Sequence, residues 1–134
     1  MGNDMLIEKK FIGAALAIGA LALAGCQTNL AELPEPSSTP RTLTGDEIRA
    51  YAGRTSNWET RDGRASGRAT LKPDGTATLT SNVPGIERDR GTWRVSDNRQ
   101  CATWENMRGG QERCVNWVLM PDGSVEMGDT ISRF

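Results

Sequence analysis

Apolar residues recur along this chain in three successive patterns. The first is a block, Phe11 to Ala24, with no charged side chain. The second is helical. Ile48, Tyr51 and Ala52 share a face when wound at the α-helical period, directly after Thr44-Gly45-Asp46-Glu47. Thr44 as N-cap and Glu47 at N3 fit a capping box, Leu43 and Ile48 occupy the staple positions, and Gly53 supplies the stop. The expected helix, about two and a half turns, is too short to stand alone and must lay its apolar face on a sheet. The third pattern is alternation: Trp93 with Val95, Ala102 with Trp104, then Val115, Trp117 and Leu119.

Turn signals punctuate the alternating region at Asp62-Gly63, Asp74-Gly75, Pro84-Gly85, Asp97-Asn98, Gly109-Gly110 and Asp122-Gly123. Their spacing of about 10 to 13 residues suits short antiparallel strands in a meander. Leu71-Lys72-Pro73-Asp74-Gly75-Thr76 and Leu119-Met120-Pro121-Asp122-Gly123-Ser124 are near copies, explained by one turn chemistry used twice. The expected fold is mainly β with one short N-terminal helix: an antiparallel meander forming a curved sheet or small open barrel. Four tryptophans, Trp58, Trp93, Trp104 and Trp117, carry much of its burial. The hairpin from Ala65 to Ser81 is dominated by Ala, Thr, Gly and Ser, so it is expected to be the softest part of the sheet or an edge covered by the helix.

Three cysteines change this picture. Cys101 and Cys114 flank the Gly109-Gly110 turn, and strands over Arg99–Glu105 and Gln111–Leu119 put them opposite each other within disulfide reach. Closing that loop stabilises a small domain by roughly 3 kcal/mol. Neither the Cys-X-X-Cys spacing nor the low-pKa setting of a redox or metal-binding thiol pair is present.

Cys26 stands at the end of the apolar block. Lys9 and Lys10 precede the block, which has the length of a secretory h-region rather than of a permanent membrane span. Met5 offers a second start, with the compact charged segment Met5-Leu-Ile-Glu-Lys-Lys. Leu23-Ala24-Gly25-Cys26 resembles the lipobox of bacterial lipoproteins, in which the cysteine becomes the acylated first residue of the mature protein. The resemblance implies a signal peptide over residues 1–25 and a lipid anchor at Cys26. By the sorting rule of such lipoproteins, Gln27 implies retention in the outer membrane, with the domain facing the periplasm. Several acyl chains, at about 0.8 kcal/mol per buried methylene, hold such an anchor firmly. Residues 26–41 contain Pro34, Pro36, Pro40, Ser37 and Ser38 and read as a flexible tether, leaving 42–134 as a single small domain.

Composition excludes more chemistry than it suggests. Histidine is absent from the 134 residues, which removes Ser-His-Asp and Cys-His catalysis and His-ligated zinc. A net charge of −1 lacks the basic footprint of a nucleic-acid binder. No calcium loop, phosphate-cradling glycine loop or nucleophile elbow occurs, so neither an enzyme nor a cofactor is expected. Lys72 is the only lysine after the apolar block, and the other basic residues are arginines. Arg61, Arg64 and Arg68 are the candidate partner-facing strip, since arginine favours bidentate contacts with carboxylates and phosphates.

The domain resembles a loosely defined group of small exported proteobacterial proteins of unknown function. The resemblance is carried by Leu43-Thr44-Gly45-Asp46-Glu47-Ile48-Arg49, Gly91-Thr92-Trp93-Arg94-Val95, Cys101, Trp104 and Cys114. These motifs are structural and bring no catalytic residue with them. A Gly-x-Trp strand with one disulfide is also similar to small lipoprotein β-barrels that inhibit proteases or lysozyme. The expected function is a non-enzymatic binding or envelope-maintenance module, lipid-anchored through Cys26, with an envelope protein or glycan as partner. The alternative is an inhibitor of a secreted protease or lysozyme.

Overall fold

The computed structural model describes residues 31–134. The apolar block, Cys26 and Gln27 lie outside the described residues. Among the described residues, no helix is long and apolar enough to cross a membrane.

Ten strands form one antiparallel sheet: β1 Arg41–Thr42, β2 Thr55–Thr60, β3 Ser66–Leu71, β4 Thr76–Ser81, β5 Arg88–Ser96, β6 Arg99–Trp104, β7 Arg113–Val115, β8 Trp117–Leu119, β9 Val125–Met127 and β10 Thr130–Arg133. Their spatial order is β1-β8-β9-β10-β2-β3-β4-β5-β6-β7. The expected continuous strand Gln111–Leu119 is broken at Asn116. Its first half pairs with β6 and its second half with β9 and β1. That bent run brings the sheet round on itself. Counted once, it joins β2 to β6, β9 and β10 in an eight-stranded up-and-down open barrel, with β10 against β2.

Register explains the curl. Gly67 lies opposite Trp58 and Gly91 opposite Trp104. At Gly67 an added Cβ would stand 1.8 Å from the Thr80 carbonyl oxygen, and at Gly91 2.0 Å from that of Thr103. Only glycine admits so close an approach of neighbouring backbones, and strong coiling of a sheet depends on such positions. The Asp97-Asn98 turn takes positive φ at both residues (50° and 57°), as a two-residue hairpin turn requires. The two Pro-Asp-Gly turns are conformational copies: Lys72 and Met120 N–H donate to Thr76 and Ser124 oxygens at 2.8 and 2.9 Å. In both, the Asp carboxylate accepts from the backbone and hydroxyl two residues on.

Cys101 and Cys114 are register partners and form the disulfide. Their side chains leave the face opposite to Ala102 and Trp104, as alternation predicts.

The helix α1, Gly45–Arg49, has the expected capping box: Glu47 N–H donates to Thr44 Oγ1, and Thr44 N–H donates to the Glu47 carboxylate. It is shorter than expected. From Ala50 onward the backbone tightens into i→i−3 bonds, and the Gly53 N–H is taken by Leu71 O of the barrel wall. Nor does α1 cover an edge hairpin. It plugs one end of the barrel, where Gly45 N–H donates to Asn98 Oδ1 in the β5–β6 turn. Leu43, Ile48 and Tyr51 pack there with Trp117, Leu119 and Val125, the best-buried apolar cluster. Leu33, half-buried, also packs on this cluster, and Arg54 donates to Ala31 O. Contact with the barrel therefore begins ahead of residue 42, within the stretch read as tether.

The hairpin expected to be soft is β3–β4, and it lies in the middle of the sheet. Its small residues have a different consequence, because Gly67, Ala69 and Ala77 face inward with Gly91 and Ala102. They leave the barrel hollow.

Candidate functional site: the barrel lumen

The inward faces of the strands enclose a cavity of about 280 Å³, more apolar than polar in lining. Eight-stranded barrels of this kind have interiors just wide enough to be filled by side chains or to hold one small ligand. Here the closed end is filled. Tyr51 meets Trp117 edge-on at 5.3 Å and Phe134 at 4.5 Å between ring centroids, and Trp117 Nε1 donates to Gln100 Oε1. The lumen lies above this floor, between Ala69, Leu79, Ala102, Trp58 and Trp104.

Buried polar groups ordinarily find partners, and each exception calls for a reason. Ser132 Oγ donates to Met127 Sδ, and Ser56 Oγ reaches Ala69 O at 3.5 Å. Trp58 differs. Its side chain lines the lumen, the residue is 8% exposed, and its indole N–H has no hydrogen-bond partner.

The opposite end of the barrel carries the β2–β3, β4–β5, β6–β7 and β9–β10 connections. Arg113, at the start of β7, faces inward by alternation with Val115 and Trp117. Arg108 sits in the β6–β7 loop at φ 57°, followed by two glycines that also take positive φ. Asp129 lies in the two-residue turn after Met127. Arg108 Nη2 and Arg113 Nη1 approach one Asp129 oxygen at 3.4 and 3.3 Å. All three line the lumen mouth with Met107 and Trp104.

Neighbouring elements hold this mouth in place. Asp89, buried on β5, accepts from the backbone N–H groups of Met107 (2.8 Å), Asn106 and Arg90 and from Asn106 Nδ2. Burial pushes its carboxyl up, but those donors outweigh the burial and hold it below its ordinary value. The loop presenting Met107 and Arg108 is thereby pinned to the wall. Burial pushes the Asp129 carboxyl up as well, yet the charges of Arg113 and Arg108 bring it below its ordinary value. Partial burial lowers the Arg108 pKa, Arg113 lowers it further, and Asp129 opposes both. Asp129 is the only carboxylate lining the lumen among the described residues, so no pair of raised carboxyls for acid–base hydrolysis faces this space.

The expected arginine strip is not one surface. Arg61 Nε and Nη2 donate to Gly128 O and to Glu126 Oε2, and its backbone N–H donates to Asp129 O. It buttresses the turn that carries Asp129. Arg64 lies at a hairpin tip, 3.8 Å from Asp62. Arg68 points outward from β3, and there the register sets it in a row with Thr80 and Arg88, with Arg90 nearby. These three arginines line a shallow depression of about 440 Å³ on the outer wall. Its cations are exposed and Arg90 is paired with Glu105, so solvent and salt screen the patch strongly. The sequence reading missed Arg108, Arg113 and Asp129 as a group. Alternation places Arg113 inside, but only the curl of the sheet brings β7, the β6–β7 loop and the β9–β10 turn to one mouth.

No protein-family model, curated protein or solved structure matches this chain.

Proposed function

We propose that this protein is an exported, lipid-anchored binding module whose barrel lumen holds a small, largely apolar ligand. The observation that carries the reading is the hollow interior, a space of about 280 Å³ that the small inward residues leave open beside Trp58, Leu79 and Trp104. A barrel serving only as a scaffold gains stability by filling such a space, because close packing is what cores supply. The lipobox-like Leu23-Ala24-Gly25-Cys26 supports attachment to the outer membrane, and acylated Cys26 is the proposed contact with membrane lipid. The domain would then face the periplasm, where apolar molecules partition from the membrane. An envelope protein or glycan remains the partner class for the outer wall at Arg68, Arg88 and Arg90. Inhibition of a secreted hydrolase ranks behind this reading, because nothing distinguishes a projecting inhibitory segment among the described residues.

The test uses naphthalene, whose size suits the cavity. The protein should take up one equivalent, read as a change in naphthalene fluorescence. Ala69→Phe, which fills the lumen from the β3 wall, should abolish uptake while leaving the far-ultraviolet circular dichroism unchanged. Equal uptake by the folded variant would place the probe elsewhere and contradict the reading.

A further inference from the structure

We infer that the lumen is built for a monocarboxylic acid of about 10–12 non-hydrogen atoms with an apolar body, its acid group seated between Arg108 and Arg113; this rests on the lumen being a binding site. Three observations converge on that occupant. The first is volume. A dry cavity of roughly 150 Å³ accommodates benzene, and this one measures about 280 Å³. A body of about twice that atom count fits, whereas a two-chain phospholipid does not.

The second is charge at the mouth. Two guanidinium groups converge on a single carboxylate, so Asp129 neutralises one cation and leaves an excess of one positive charge. Both contacts are longer than the 2.7–2.9 Å of a well-formed charge-assisted bond. Each guanidinium has five N–H donors in a planar fork, so neither is saturated by Asp129. An incoming carboxylate would complete an alternating arrangement of two cations and two anions at the rim, with its body in the apolar lumen.

The third is shape: aromatic walls at Trp58 and Trp104 suit an extended or planar apolar body. Free decanoate has the required size and head group, and decanol is its uncharged counterpart.

The full chain carrying Cys26→Ser, which has no acyl group of its own at that position, is titrated with decanoate and with decanol by calorimetry. Decanoate should bind one per chain, at least tenfold more tightly than decanol, and should weaken as salt is raised. Arg113→Gln and Arg108→Gln should each cut decanoate affinity about tenfold while leaving decanol unchanged, so that decanol binding doubles as the check on folding. Equal affinity for the two probes, or arginine variants that treat them alike, would overturn acid recognition and leave lumen binding standing. Binding of neither would overturn both. Capture of decanoate with unchanged affinity in both arginine variants would place the acid away from the mouth and also overturn the inference.

Discussion

Alanine at position 91 is the sharpest test of how the barrel is bent. The added Cβ would stand 2.0 Å from Thr103 O, 2.9 Å from the Thr103 carbonyl carbon and 3.0 Å from Trp104 Cα. Ordinary contact begins near 3.4 Å, so the shortfall against the oxygen is about 1.4 Å. All three atoms are backbone, and no side chain can swing aside. β5 and β6 must part at the Gly91–Trp104 pair. Overpacking of this kind costs about 1–3 kcal/mol, and weakening one ladder bond adds ~1 kcal/mol. The total of about 2–4 kcal/mol is a large share of the roughly 5–14 kcal/mol expected for a domain of this size. At ~4–8 °C per kcal/mol, the midpoint should fall by about 10–30 °C. Gly63→Ala is the control: its φ of 72° disfavours alanine, but nothing lies within 4 Å of the new atom. It should cost only about 1 kcal/mol. Thermal unfolding followed by circular dichroism separates the two. A Gly91→Ala protein that melts within a few degrees of the Gly63→Ala protein would refute the claim that close strand approach sets the curvature.

Three further outcomes follow from the same structure. Cys101→Ser should lower stability by about 3 kcal/mol in urea unfolding, since it opens a loop with a sequence separation of 13; unchanged stability would mean that the β6–β7 pairing is fixed without the bridge. The Glu47 carboxyl is drawn from 4.5 down to about 2, chiefly by hydrogen bonds from Arg41, against the opposing effect of burial and with help from Thr44 N–H. A depressed carboxyl stabilises the fold above its unfolded value and loses that contribution as pH falls towards 2. The stability gap between wild type and Glu47→Gln should therefore be about 1–2 kcal/mol at pH 7, after allowance for solvent screening, and should narrow below pH 4.5. A gap independent of pH would contradict the ion pair. Cys26→Ser should abolish lipid labelling and release the protein from the membrane fraction, and a variant that is still labelled and membrane-bound would end the lipoprotein reading.

The elements legible in the sequence are those whose determinants are local. Thr44 and Glu47 form the capping box, Asp97-Asn98 makes its turn, and alternation puts Trp104 and Trp117 on one face with Cys101 and Cys114 on the other. β9 and β10 were not legible as strands. At three and four residues they are too short for alternation to register, although Gly128-Asp129 between them is a turn signal of the same kind as the rest. The break at Asn116 is also invisible locally, because Val115 and Trp117 keep their alternation across it while the partner strand changes. The lumen escaped notice for a related reason. Small residues at Gly67, Ala69, Gly91 and Ala102 read individually as weak strand positions. Together, on the inside of a strongly curled sheet, they make a cavity. Arg61 and Arg68 were legible as arginines but not as surfaces, since their partners Glu126 and Arg88 arrive from strands far away in sequence.

The central claim is that the lumen binds a ligand, and its most direct test is nuclear magnetic resonance of the Cys26→Ser chain titrated with decanoate. The account predicts saturable shifts of the Ala69 and Ala102 methyl groups and of the Trp58 indole signal, all of which line the lumen. Shifts confined to the outer wall around Arg68, Thr78 and Arg90, with the Trp58 indole signal unmoved, would contradict it.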